Sequence, residues 1–274
     1  MIKPDIINLL NKLQPISKLG NILRLWRRDR LWSNYDEYYE VLLRHAPLHL
    51  DWLKQANLPH PQSSIFSIGP GRGELELTLC QNFDCVLGYA ETYPRYYQEV
   101  EQGFATAGLS DRIVERHQDL YQTFVPTRSY DLILSVHSWY SFGYDAKLLR
   151  QTLEMLSSNG VMLLTVTSKE DFFFRHTLVR QNFSAEELSQ WATEQGFPHQ
   201  LHLLRTSISA DKLRVNGSLT KEAKGVIGFL KGKLWWQIPR QERCRISKPF
   251  RELGANDYIE RVYGLLYFES SHLC

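Results

Sequence analysis

Residues 64–79 read SIFSIGPGRGELELTL, an apolar run that breaks into three glycines spaced G-x-G-x-G and resumes as a helical pattern. No other stretch constrains the fold as strongly. Gly69 and Gly73 can take backbone angles closed to other residues, and Gly71 has no side chain where a ligand must come close. The following GELELTLC opens a helix whose N-terminal N–H groups face whatever occupies the turn. Such a turn can cradle a dinucleotide, approach the ribose of a nucleoside cofactor, or only turn a corner, and the spacing alone does not choose.

From this point the chain alternates short strands with helices. SIFSIG is followed by a helix to about residue 82, then CVLGYAE, a helix from Pro94, RIVERHQD (112–119), YDLILSVH (130–137), the amphipathic helix DAKLLRQTLEMLSS and GVMLLTVTS (160–168). That rhythm predicts an α/β fold around a parallel sheet, and DLILSV is apolar enough to be covered on both faces. SAEELSQWATEQG reads as a helix capped by Ser184 with Glu187 three residues on; PHQLHLLRTSI and ERVYGLLYFE read as a sixth and a seventh strand. Residues 209–258 lack strand rhythm and read as a helical or irregular insertion, basic between Lys221 and Arg251 with Trp235, Trp236 and Phe250 interleaved. Upstream, 34–56 is a helical pattern, and 1–30 predicts short amphipathic helices ending in RLWRRDR.

Composition narrows the class. With 274 residues, 43% apolar, 23% charged and a net charge of +2, the chain is globular in type rather than disordered. No window supplies the roughly 18 consecutive apolar residues of a membrane span, and the first residues do not read as a signal peptide. Cys80, Cys85, Cys244 and Cys274 form no C-x-x-C pair, which argues against zinc and against a disulfide framework. His45 and His49 have the i, i+4 spacing of metal ligands without a third donor, so they read as solvent or pocket-rim histidines and no metal is expected. A cytoplasmic protein fits this balance.

Other residues give the turn its company. Strand two ends at Glu91, 18 residues after Gly73, where a carboxylate accepts hydrogen bonds from both ribose hydroxyls. Strand three runs into Asp119 and Leu120, a pair suited to an adenine amino group and ring. The third glycine of G-x-G-x-x-G is missing: Glu74, Leu75 and Glu76 follow Gly73, which disfavours a diphosphate and suits a cationic sulfonium ligand.

The order SIGPGRG, YAE, QDL, YDLILSVHSWY and LSSNGVMLLTV, from residue 60 to about 170, resembles class I S-adenosylmethionine-dependent methyltransferases. SIGPGRGELEL, VHSWY, the tail through LLYFES and the upstream YDEYYEVLLRHAPLHLDWL are similar to the histamine N-methyltransferase branch. The resemblance implies a Rossmann-like seven-stranded sheet with the last strand antiparallel. It implies an N-terminal cap over 1–58 and a methyltransferase domain over 59–274; the basic insertion 209–258 suits nucleic acid, an anionic substrate group or a lid, and is read as a lid. Gly69, Pro70, Gly71, Gly73, Glu91, Thr92, Asp119, Leu120 and Val136 would then bind S-adenosylmethionine, which leaves as S-adenosylhomocysteine. Ser67 stands where many class I enzymes have an acidic residue.

On the substrate side the resemblance points to Tyr35, Tyr39, Leu48, His137, Trp139, Tyr140 and Arg261, with His137 as polar orienter or base. Leu48, His137 and Arg261 (or its neighbour Glu260) replace the branch's acidic, glutamine and asparagine substrate contacts, which argues against histamine itself. The implied activity is N-methylation of a small amine, guanidine or imidazole, by a monomer or homodimer without a nucleic-acid partner. Small-molecule O-methylation, an RNA- or protein-directed methyltransferase docking through its basic segments, and a non-catalytic cofactor-binding subunit stay open.

Overall fold

The computed structural model describes residues 46–176, 183–215, 218–231, 233, 235–254 and 256–270. Two compact units emerge. One comprises Arg44–Thr177, Gln181–Ile208 and Ile259–Cys274; the other contains Ser209–Tyr258 together with segments outside the described residues.

The larger unit begins with α1 (Ala46–Gln55) and then lays down β1 (Ser64–Ile68), α2 (Glu74–Phe83), β2 (Val86–Ala90), α3 (Pro94–Thr106), β3 (Ile113–His117), β4 (Tyr130–Val136), α4 (Ala146–Leu153) and β5 (Leu156–Thr167). A short α5 (Phe172–Arg175), α6 (Ala185–Glu194), β6 (Gln200–Ser209) and, after the smaller unit, β9 (Tyr258–Glu269) complete it. The strands form one seven-stranded sheet in the order β3-β2-β1-β4-β5-β9-β6, with β1 through β5 parallel and β9 antiparallel to β5. The expected α/β, Rossmann-like methyltransferase sheet is therefore present, and β9 is the antiparallel late strand.

Alternation within the apolar strands builds two cores. Ile65, Leu87, Leu132 and Leu134 pack with Leu53 of α1, Leu75 and Leu79 of α2, and Phe104 of α3 on one face. Phe66, Ile133, Met162 and Leu164 pack with Leu148 and Leu149 of α4 and Leu188 of α6 on the other. Each such fully buried side chain contributes about 1.5–3 kcal/mol relative to exposure. α6 carries the full capping box, with Ser184 and Glu187 satisfying each other's backbone N–H.

One boundary differs from expectation. The helix predicted over DAKLLRQTLEMLSS stops at Leu153, and the chain from Leu156 already belongs to β5. The pairing of β4 with β5 shifts register between Tyr130 and Leu132, and a Cβ at Gly160 would lie 2.7 Å from the carbonyl oxygen of Tyr130. Glycine thus permits an irregular strand entry that amphipathic periodicity reads as more helix.

In the smaller unit a two-stranded hairpin of β7 (Arg214–Val215) and β8 (Ser218–Leu219) is followed by α7 (Lys221–Lys231) and α8 (Arg240–Arg251). The predicted insertion is thus largely helical. Among the described residues no helix is long and apolar enough to cross a membrane.

Candidate active site

The site lies where strand order reverses. β1 pairs with β2 on one side and β4 on the other, so the chain leaving β1 enters the crevice at the carboxyl ends of the strands, where open α/β sheets bind ligands. Gly69, Gly71 and Gly73 have φ of 65°, 60° and 72°, all left-handed. The expectation of special backbone angles at Gly69 and Gly73 extends to Gly71. A Cβ at Gly69 would stand 2.8 Å from the Cβ of Ser138, so the turn is pressed against the exit of β4. Gly73 is also the N-cap of α2, with no side chain capping that helix end. The first-turn N–H groups of a helix have no intrahelical partner.

Glu91, only 8% exposed, spans the turn: Gly71 N–H donates to Oε2 at 3.2 Å and Tyr93 N–H to Oε1 at 2.8 Å. A carboxylate has about four lone-pair sites and can accept from several donors at once. Thr92 Oγ1 donates to the Asp119 carbonyl at 3.2 Å, joining the ends of β2 and β3. Asp119 accepts from Leu120 N–H at 2.7 Å, and Leu120 is 43% exposed, an apolar platform beside polar acceptors. Gly71, Glu91, Tyr93, Thr92 and Asp119 are thus tied together by hydrogen bonds at the ends of β1, β2 and β3.

Behind the turn lies a feature that sequence reasoning missed. Glu76 is buried, accepts the Ser67 hydroxyl at 2.6 Å, and has its pKa pushed up to about 7 by burial, partly opposed by that hydrogen bond. The acid missing at position 67 has its carboxyl counterpart on the first turn of α2. The glutamate was visible in the sequence; its burial was not.

Across the crevice, His137 follows the end of β4, and its φ of 56° is unusual for a residue with a side chain. Its backbone N–H donates to Thr165 at 3.0 Å, and the next residue, Ser138, bonds Ser135 at 2.7 Å, fixing the exit. Around the imidazole stand Tyr263 with centroids 4.7 Å apart, His49 at 6.0 Å edge-on, and Tyr140 at 6.4 Å nearly parallel. Tyr140 donates to Thr167 Oγ1 at 2.9 Å.

The remaining predicted substrate residues are placed unevenly. Trp139 is fully buried against Phe142 in the core, without surface for a ligand. Leu48 packs on the core beneath α1, and it is the next residue, His49, that reaches His137. Arg261 is 1% exposed, its Nε 2.6 Å from Asp171 Oδ2, its guanidinium over Phe173 and Tyr263 at 4.8 and 4.9 Å. Tyr35 and Tyr39 lie outside the described residues. Asp171, Tyr263 and Ser138 complete the list of residues the sequence did not single out. Among the described residues no three His, Cys, Asp or Glu side chains gather as a metal-ligand set.

Sheet order, glycine turn and acceptor pattern define a class I S-adenosylmethionine-dependent methyltransferase fold. The sequence profile of the methyltransferase-domain family matches residues 35–202, more than half of the chain, and the protein belongs to that family. Similar folds include a methyltransferase from Thiobacillus denitrificans (14% identity, TM-score 0.53, 85% of this chain and 96% of that one). Another is from Geobacter sulfurreducens (15%, 0.51, 79% and 89%). Both are complexes with S-adenosylhomocysteine, consistent with S-adenosylmethionine as the ligand of this fold. The [4+2]-cyclase SpnF is similar to the same degree (14%, 0.52, 80% and 79%). No match was found among curated proteins.

Proposed function

We propose that the protein is an S-adenosylmethionine-dependent N-methyltransferase of a small nitrogenous metabolite of amine, guanidine or imidazole type. The observation that carries this reading is the ring of His49, Tyr140 and Tyr263 around His137, next to the glycine turn that Ser138 touches. Such a wall suits a flat or cationic ligand. The similarity to the histamine N-methyltransferase branch supports nitrogen as acceptor, while Leu48, His137 and Arg261 favour a substrate other than histamine.

When bound, S-adenosylmethionine supplies a methyl group on a sulfonium centre. Gly69, Pro70, Gly71 and Gly73 would hold its methionine and ribose portion, Glu91 the ribose hydroxyls, Thr92, Asp119 and Leu120 the adenine, and Val136 the region beside the methyl. The protein's task is to hold the accepting nitrogen in line and exclude water. An alkylammonium of pKa about 10 costs about 4 kcal/mol to deprotonate at pH 7, a cost that an apolar aromatic wall lowers. His137 is the group we assign to take that proton at a ring nitrogen, directly or through one water. The roles of cap for 1–58 and lid for 209–258 are assigned from the sequence alone.

A methyl-transfer screen over small amines, guanidines, imidazoles and phenols, read by mass, tests it. Transfer to a nitrogen acceptor is the expected result. Transfer confined to phenols would replace the reading by O-methylation, and no transfer to any candidate would overturn it.

A further inference from the structure

The smaller unit carries a cleft of its own, about 330 Å³ in volume. Five cations line it, Arg214, Lys224, Arg240, Arg243 and Arg251, and no aspartate or glutamate does. Helical spacing explains the density: Arg240, Arg243, Cys244, Ser247 and Arg251 recur at three- and four-residue steps along α8 and fall on one face. Two acids of α8 and its end are engaged elsewhere, Glu242 with Lys231 at 3.6 Å and Glu252 with Lys248 at 3.9 Å. Among the described residues none of the five lining cations has a carboxylate within ion-pair distance.

Like charges concentrated in one concavity repel, and among the described residues no carboxylate offsets them there. Arg214 adds a second, independent observation. Its Nη1 is shielded from solvent and has no hydrogen-bond partner among the described residues, a costly state for a guanidinium N–H. Arg251 spends one N–H on the carbonyl of Cys244 at 3.0 Å, and Arg243 lies over the ring of Trp235 at 6.0 Å. Ser218 and Ser247 also line the cleft, the Ser247 hydroxyl donating to the Arg243 carbonyl at 2.7 Å. Guanidinium forks match the planar edges of phosphate or carboxylate groups.

We propose that this cleft binds a small multivalent oxyanion. Two features favour a small molecule over a polynucleotide. The volume lies at the small end of the range for ligand pockets. A single-stranded nucleic acid needs open aromatic faces, but Trp235 is overlaid by Arg243, Phe250 is 1% exposed, and the exposed Trp236 does not line the cleft.

Calorimetry on the full-length protein tests the site, with pyrophosphate and citrate as probes that separate a phosphate source from a polycarboxylate source, and a short single-stranded RNA as competitor class. Either small anion should bind at one site per chain, more weakly as salt rises. Arg214→Gln combined with Arg243→Gln should weaken it at least about tenfold, with S-adenosylhomocysteine affinity unchanged and the melting temperature not lowered. Lys224→Gln serves the same comparison if the double variant does not fold. Absence of binding by both anions at millimolar concentration, binding that survives the substitutions, or binding of RNA alone would each overturn the proposal.

Discussion

The imidazole of His137 meets the ring of Tyr263 edge-on, 4.7 Å between centroids and 65° between planes. One residue leaves the strand beside the glycine turn; the other sits in β9, reached only after the smaller unit. The wall of the candidate methyl site is thus assembled from α1, β4 and β9, and a change at any of them alters it.

His137→Asn keeps a residue that tolerates the left-handed backbone while removing the imidazole. Turnover should fall about a hundredfold or more, with S-adenosylhomocysteine affinity, read by calorimetry, unchanged. Equal turnover would remove His137 from the chemistry.

Glu91→Ala removes the acceptor of the Gly71 and Tyr93 N–H groups and of the ribose hydroxyls assigned to it. Cofactor binding should weaken by about 1–3 kcal/mol. Unchanged affinity would defeat the ribose assignment.

Glu76 sets a pH dependence. Its folded pKa, about 7, lies above the ordinary value of 4.5, so the folded state holds the proton more tightly. The stabilisation is present at acid pH and is lost as pH rises through about 7, a change on the order of 3 kcal/mol. Denaturant unfolding of the ligand-free protein at pH 5.5 and pH 8 captures about 2 kcal/mol of it, and Glu76→Gln should flatten the difference. An unchanged slope in the variant would assign the effect to another group.

Gly69→Ala combines left-handed backbone with a Cβ placed 2.8 Å from that of Ser138. Unfolding free energy should drop by about 2–4 kcal/mol. Adding Ser138→Gly should recover the clash and leave the backbone penalty; no recovery would show that the contact is not the cause.

Asp171→Ala leaves the buried guanidinium of Arg261 without its carboxylate and should cost about 3–5 kcal/mol. The double variant Asp171→Ala with Arg261→Met should be more stable than Asp171→Ala alone in a thermal melt. If both melt alike, the buried charge is not what destabilises.

Features whose physics is local could be read from the sequence. Three glycines in one turn, alternating strands, and the Ser184–Glu187 cap each speak for themselves within a few residues. The end of α4 was misread because its amphipathic period runs on into β5, and only the shift opposite Gly160 breaks it. Trp139 and Tyr140 are neighbours in sequence, yet one faces the core and the other reaches Thr167. The Asp171–Arg261 pair joins residues ninety positions apart, and His49 becomes part of the site only because α1 sets it against His137. Such pairings follow from packing and leave no periodic trace.

The positive φ of His137 also limits what evolution or a mutagenesis library can install there. Glycine, asparagine, aspartate and histidine enter the left-handed region at modest cost, whereas β-branched and bulky side chains do not. Selection for a new acceptor molecule would thus draw on a short menu at this position, and diversity in substrate choice would have to come from the less constrained positions on α1 and β9.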